Sequence, residues 1–274
     1  MTSPGLQEIV ALLGCPAAGN PAQYLFERAI EAAGLDWRFV TCDVAVEDIA
    51  AAVAGLAALG LRGCLLSGPL REAALPFVTT ASPAAAFSGG LTLIERSGSG
   101  LVGHVTDGRG IVEALRSHVD LARAGVLVAG ADTTGRAAAL ELAAAGVTDI
   151  VVCDPDRART DDLVAALEGV QAAAATPAAW DGGIVVPERV GAVIIGAAAG
   201  AAAFSGWRPD LVVADTVLAP RLSNAADEAA RHGGCIVDGL EIHAARVAID
   251  FRSLTGREAD TDMLRDALDE FLSA

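Results

Sequence analysis

The sequence predicts an α/β protein built on a doubly wound parallel sheet, and three observations carry that prediction. From residue 126 onward, short apolar runs alternate with helical stretches: strand 126–129, helix 135–145, strand 149–153 and helix 157–168. Strands 192–196, 211–214 and 235–237 follow, with a helix at 223–232. Such alternation places crossover helices on the faces of a parallel sheet. Next, the first of these strands ends in a glycine turn, Gly130-Ala131-Asp132-Thr133-Thr134-Gly135, that opens a helix at once. Finally, the amino-terminal part shows the same rhythm, and the chain closes with two helical stretches, 242–251 and 261–272.

In the amino-terminal part, strand 8–13 runs into Gly14-Cys15-Pro16, and helix 22–33 is stopped by Gly34. Strand 37–42 alternates apolar and polar residues, helix 46–59 is amphipathic and ends at Gly60, and 63–67 is a third strand. Gly68-Pro69-Leu70-Arg71 opens a short helix. Segments 91–96 and 100–105 pair as a hairpin across Ser97-Gly98-Ser99, and Thr106-Asp107-Gly108 starts a helix reaching 119. The run 172–175 reads as a low-complexity loop, and no internal repeat is found.

A chain of 274 residues, 53% of them hydrophobic, can fill one large domain or two of ordinary size. The longest apolar run, 190–204, is too short and too rich in alanine and glycine to span a membrane, and no basic segment precedes an apolar one at the amino terminus. A cytoplasmic protein is expected. The net charge of −16 argues against nucleic-acid and anionic-membrane partners, which need clustered cations. A second copy of the chain, giving a homodimer, remains open as a partner. The five cysteines are dispersed and four fall in or beside apolar runs, so reduced, buried thiols are expected and no metal site. There is no lysine. Schiff-base chemistry and a phosphate-binding loop lysine are therefore excluded.

The glycine turn follows the pattern G-x-G-x-x-G, in which a pyrophosphate sits on free N–H groups at a helix N-terminus. Here Asp132 replaces the middle glycine. Its carboxylate either opposes a pyrophosphate or caps the helix. Asp154 ends the second strand about twenty residues on, where an acid accepts from the adenosine ribose hydroxyls and favours NAD over NADP. The alternative role of Asp154 is a helix cap. The expected cofactor contacts are Gly130, Ala131, Asp132, Thr133, Thr134, Gly135, Asp154 and Gly196.

Three further stretches extend this reading: Gly103-His-Val-Thr-Asp-Gly-Arg-Gly110, Leu65-Leu-Ser-Gly-Pro-Leu-Arg71, and the segment from Asp238 to Gly256. In order and spacing they resemble the shikimate dehydrogenase family motifs G-x-N-T-D-x-x-G, N-V-T-x-P-x-K and D-G-x-x-M-L-x-x-Q-x-x-x-x-F-x-x-W-x-G. The resemblance implies a substrate-binding domain at 1–118 completed by 239–274, a Rossmann-like domain at 119–238, and a cleft between them for a hydroxy acid and NAD(P). It also implies a Lys–Asp pair that handles the proton. In this sequence the lysine is Arg71, the glutamine is Arg246, the pocket tyrosine is Leu218, the paired serines are absent, and only Asp107 is intact. The resemblance therefore describes a divergent member with a substrate other than shikimate.

Arg71 stays protonated and can clamp an anion or hold Asp107. Arg246 adds a second cation toward the same pocket, or pairs with Glu241 or Asp250 along its helix. His104 and His243 are the groups near this site that titrate around neutral pH, whereas His118 and His232 are read as helix-end caps. Asp107, Arg71 and His104 are the expected catalytic residues, and Ser67, Arg246 and His243 the expected substrate contacts. The leading reading is hydride transfer between NAD(H) and an anionic small molecule. Two others stay open: a cofactor-independent enzyme or small-acid binder, and a non-catalytic pseudoenzyme.

Overall fold

The computed structural model describes residues 7–170 and 173–274. The chain divides into two compact units, one of residues 1–106 with 247–274, the other of residues 107–246. These limits differ from the expected 118/119 and 238/239. The start of the helix at Asp107 and the first part of the helix at Gly239 group with the second unit.

The first unit carries a six-stranded sheet in the order β2-β1-β3-β5-β6-β4. Its strands are β1 (Glu8–Gly14), β2 (Trp37–Asp43), β3 (Gly63–Leu66), β4 (Thr80–Ala81), β5 (Leu93–Ser97) and β6 (Gly100–His104). Four-residue β3 is buried throughout, as a central strand of a parallel layer should be. The sheet is mixed, not purely parallel: β5 runs antiparallel to both β3 and β6, closing the expected hairpin. Helices α1 (Ala22–Ala32), α2 (Ile49–Ala58), α3 (Leu70–Ala73) and α4 (Pro83–Ser88) belong to this unit. Strand β4 and helix α4 lie outside the elements expected from the sequence, being too short to show a period; α4 is set by Ser82, which accepts from the Ala85 N–H as an N-cap. Phe26 of α1 packs on Phe39 at 4.9 Å and on Phe251 at 5.8 Å. A buried polar thread runs beside this core: Thr106 Oγ1 donates to Asp250 at 2.7 Å, and the Thr106 N–H donates to Thr92 Oγ1 at 2.9 Å. Asp250 is fully buried, so each donor matters to its carboxylate.

The second unit holds a six-stranded, all-parallel sheet in the order β14-β13-β11-β7-β8-β9. These are β7 (Gly125–Ala129), β8 (Asp149–Cys153), β9 (Ala174–Pro177), β11 (Val190–Ile195), β13 (Val212–Asp215) and β14 (Cys235–Val237). Counted along the unit the order is 3-2-1-4-5-6, the doubly wound arrangement. Short strands β10 (Ile184–Val185) and β12 (Phe204–Ser205) pair apart from it. The helices are α5 (Asp107–Leu115), α6 (Thr133–Ala144), α7 (Arg157–Gly169) and α8 (Asn224–Arg231); α9 (Gly239–Thr255) runs from this unit into the first, to which α10 (Thr261–Ser273) belongs. The expected low-complexity loop at 172–175 is corrected in part. Ala174 and Ala175 lie in β9, paired with β8, while Ala172 lies outside the described residues. Among the described residues no helix is long and apolar enough to cross a membrane.

The cysteines depart from expectation. Cys64 and Cys153 are buried, Cys15 and Cys42 are intermediate, and Cys235 is exposed because it opens the edge strand β14. Burial pushes the Cys153 thiol up to about 12 and raises that of Cys64 as well.

Candidate functional site

In a sheet of this order the ligand crevice lies at the carboxyl ends of the strands, where the winding reverses. Here that point is β7 beside β11. Gly130 leaves β7 at φ +123°, a backbone state that side chains oppose, and its N–H donates to Cys153 O at 2.8 Å. Gly196 leaves β11 beside it, its N–H donating to Ala129 O at 2.8 Å. A Cβ on Gly135 would stand 1.9 Å from the Gly130 carbonyl oxygen, so only glycine lets α6 start this close to the strand. Ala131 and Thr133 are buried in the turn.

The two carboxylates of this loop are engaged with the backbone. Asp132 is the N-cap of α6 and accepts from the Gly135 N–H at 2.9 Å. It therefore satisfies a donor and neutralises part of the helix N-terminus with the protein's own charge. Asp154 is not the cap of α7, a position taken by Asp156. Its buried carboxylate accepts from the Ala131 N–H at 2.8 Å and the Asp156 N–H at 2.9 Å, tying the end of β8 to the glycine turn. Each oxygen keeps a second lone pair for a ribose hydroxyl. Arg157 and Arg159, which follow, pair with Asp161 and Asp156 at 2.9 and 3.8 Å. Burial lowers the pKa of Arg136, against the raising influence of Asp162.

Asp107 is brought to this turn by two glycines. A Cβ on Gly108 would meet the Ala137 carbonyl oxygen at 2.2 Å, and one on Gly110 would meet Arg246 Cβ at 2.8 Å. Their absence seats α5 directly on α6 and on the first part of α9, which is why these segments group with the second unit. Thr134 Oγ1 then donates to Asp107 Oδ2 at 3.0 Å, and Arg246 Nε lies 3.8 Å from Asp107 Oδ1. Arg246 thus pairs with Asp107, an acid on another helix that spacing along α9 could not name. His243 donates from Nδ1 to Gly239 O at 2.8 Å within α9. His232 bonds Glu228 O, as a helix-end residue does.

In the first unit, Ser67 follows β3, and its N–H donates to Leu13 O at 3.0 Å. Its buried hydroxyl has no hydrogen-bond partner among the described residues, and a Cβ on Gly14 would come within 2.8 Å of it. Arg71 lies in α3 and is half-buried, its carbonyl accepting from the Leu91 N–H at 2.8 Å. His104 faces Glu95, Nε2 to Oε2 at 3.7 Å, and Glu95 also pairs with Arg62 at 3.4 Å. What the sequence did not reveal is Thr134 as the partner of Asp107, and the close approaches at Gly108 and Gly110. The glycines were visible in the motif; the surfaces they touch were not.

This is a Rossmann-like architecture in one unit and a mixed α/β architecture in the other. Residues 12–93 match the model of the shikimate dehydrogenase substrate binding domain. A shikimate dehydrogenase (NADP(+)) of Geobacter metallireducens is 35% identical over 168 residues, which are 61% of this chain and 59% of that protein. The chain thus spans about six tenths of that relative's length. Two solved structures match nearly end to end. One is the ligand-free 5-ketofructose reductase of a Gluconobacter species, with a TM-score of 0.89 at 25% identity over 97% of this chain and 99% of that one. The other is a Thermus thermophilus shikimate 5-dehydrogenase in complex with shikimate, with a TM-score of 0.82 at 25% identity over 98% and 100%. Residues 12–93 thus resemble that domain in sequence, and the chain as a whole resembles these two proteins in fold.

Proposed function

We propose that the chain is a nicotinamide-dependent oxidoreductase that interconverts a secondary alcohol and a ketone on a small polyhydroxy compound. The observation that carries this reading is Asp107, held by Thr134 of the glycine turn and by Arg246. A carboxylate that moves a proton during hydride transfer must be fixed beside the cofactor's loop, and the hydrogen bond from Thr134 to Asp107 supports that role. The turn fits a dinucleotide in frame, with Gly130, Gly135 and Gly196 making the cradle and Asp154 at its edge. A bound nicotinamide would supply the hydride acceptor or donor. Asp107 would hold or pass the alcohol proton, and Arg246 would keep that carboxylate oriented.

The acidic rim of Asp154 and Asp156, with both nearby arginines in ion pairs, favours NAD(H) over a 2′-phosphorylated dinucleotide. Titration of each dinucleotide, followed by the shift in melting temperature, should show a clear preference for NAD(H). No shift with either at millimolar concentration removes the oxidoreductase reading, and a larger shift with NADP(H) removes the role given to Asp154.

Asp132→Gly should tighten dinucleotide binding several-fold, since it removes a carboxylate from the helix N-terminus. The lost cap should cost only a few tenths of a kcal/mol. Isothermal titration of the variant against the parent checks both; unchanged affinity means that the pyrophosphate does not approach this turn.

The expectation of an anionic substrate rests on two arginines available to a ligand. Arg246 is committed to Asp107, which favours a second reading: an uncharged polyhydroxy ketone, the compound class named in 5-ketofructose reductase. Turnover of shikimate and quinate, set against that of uncharged keto-sugars, separates the two.

A further inference from the structure

Away from the glycine turn, three side chains of the second unit converge from three elements. His118 follows α5, its N–H donating to Leu115 O at 2.9 Å. Cys235 opens the edge strand β14, and Glu241 lies in the first turn of α9, where its N–H donates to Asp238 Oδ1 at 2.9 Å. His118 Nε2 stands 3.0 Å from Glu241 Oε1, and His118 Nδ1 stands 3.6 Å from Cys235 Sγ. An ionised carboxylate only accepts, so Nε2 carries the hydrogen and Nδ1 offers its lone pair to the thiol. A nucleophile, a base and a group that orients the base are thereby lined up, as in hydrolases that use activated side chains. A helix-end cap, the role that position alone suggests for His118, accounts for neither contact.

Exposure distinguishes this thiol from the others. Cys64 and Cys153 are buried and their thiols are raised by burial, whereas Cys235 is exposed. His118 is also part of the wall of a cavity of about 570 Å³, shared with Arg116, Ser117, Asp120, Leu121 and Ala145. A reagent reaching the thiol therefore has space beside its base.

We infer that Cys235, His118 and Glu241 form a thiol-activating site that takes part in exchange with low-molecular-weight disulfides, separate from the oxidoreductase chemistry. In the step, the Cys235 proton passes to His118 Nδ1 and the sulfur attacks one sulfur of the incoming disulfide. The S–S bond breaks, a mixed disulfide forms on Cys235, and the departing thiolate takes the proton back from the imidazolium. No net oxidant beyond the disulfide is consumed.

The test is incubation of the intact chain with glutathione disulfide near neutral pH, followed by acid quench and peptide mapping. A single adduct should appear on Cys235, forming on the order of tenfold faster than on the same residue in the denatured chain, and a similar factor faster than in His118→Asn. Added imidazole should restore the rate of His118→Ala, which a purely structural defect would not allow. For Glu241, which positions the base, nitrogen NMR of the His118 ring should show the Nε2–H tautomer in the parent and a mixture in Glu241→Gln. A native rate equal to the denatured rate, or an adduct falling first on Cys15 or Cys42, overturns the proposal. An unchanged tautomer in Glu241→Gln overturns the role of Glu241.

Discussion

Gly135→Ala is expected to cost about 3 kcal/mol or more, lowering the melting temperature by roughly 10 °C. The added carbon would sit 1.9 Å from the Gly130 carbonyl oxygen, and backbone lies on both sides of that contact. A flexible side chain could turn away, but here the end of β7 or the first turn of α6 must move. Movement of α6 strains the Asp132 cap, the Asp154 tie to Ala131, and the contact of α5 at Gly108. The effect should therefore spread through the second unit and remove dinucleotide binding along with stability. Gly55→Ala is the matching control. Gly55 lies inside α2, nothing stands within 4 Å of the point where its Cβ would lie, and alanine there should stabilise by about 1 kcal/mol. Calorimetry of both variants checks the pair. A Gly135→Ala chain that melts with the parent would show that the close contact is not required.

The same turn shows how far the sequence could be read. The doubly wound unit was legible because its strands are continuous apolar runs and its helices have glycine or aspartate at their ends, signals local to each element. Two things were not legible. Strand β4, helix α4 and strand β9 are too short, or too rich in alanine, for any period to separate strand from helix. The partners of charged groups were also hidden, since spacing along one helix names only neighbours on that helix. Arg246 has two acids at helical spacing and pairs with a third, Asp107, that close helix packing brings to it. Asp154 stands where an acid was expected, yet the position alone could not show that its carboxylate also ties the glycine turn to β8. The approach of His104 to Glu95, on the neighbouring strand, is likewise revealed only by strand register.

Asp107→Asn should lower turnover by about 100-fold or more while leaving dinucleotide affinity close to that of the parent. The amide oxygen can still accept from Thr134, so the geometry of the glycine turn should survive the change. What the amide cannot do is take a proton from an alcohol or balance the Arg246 guanidinium, whose side chain is only 19% exposed. A stability loss of about 1–3 kcal/mol is expected from losing the Asp107 charge beside a mostly buried guanidinium. This creates an ambiguity, since a destabilised enzyme also loses activity. The double variant Asp107→Asn/Arg246→Gln resolves it: replacing the cation by a neutral amide should recover most of the melting temperature and none of the turnover. Steady-state kinetics with the preferred dinucleotide, set beside the melting curves, reads both quantities on the same samples. Should the single variant keep kcat within about threefold of the parent, Asp107 orients the loop and the proton travels by another route.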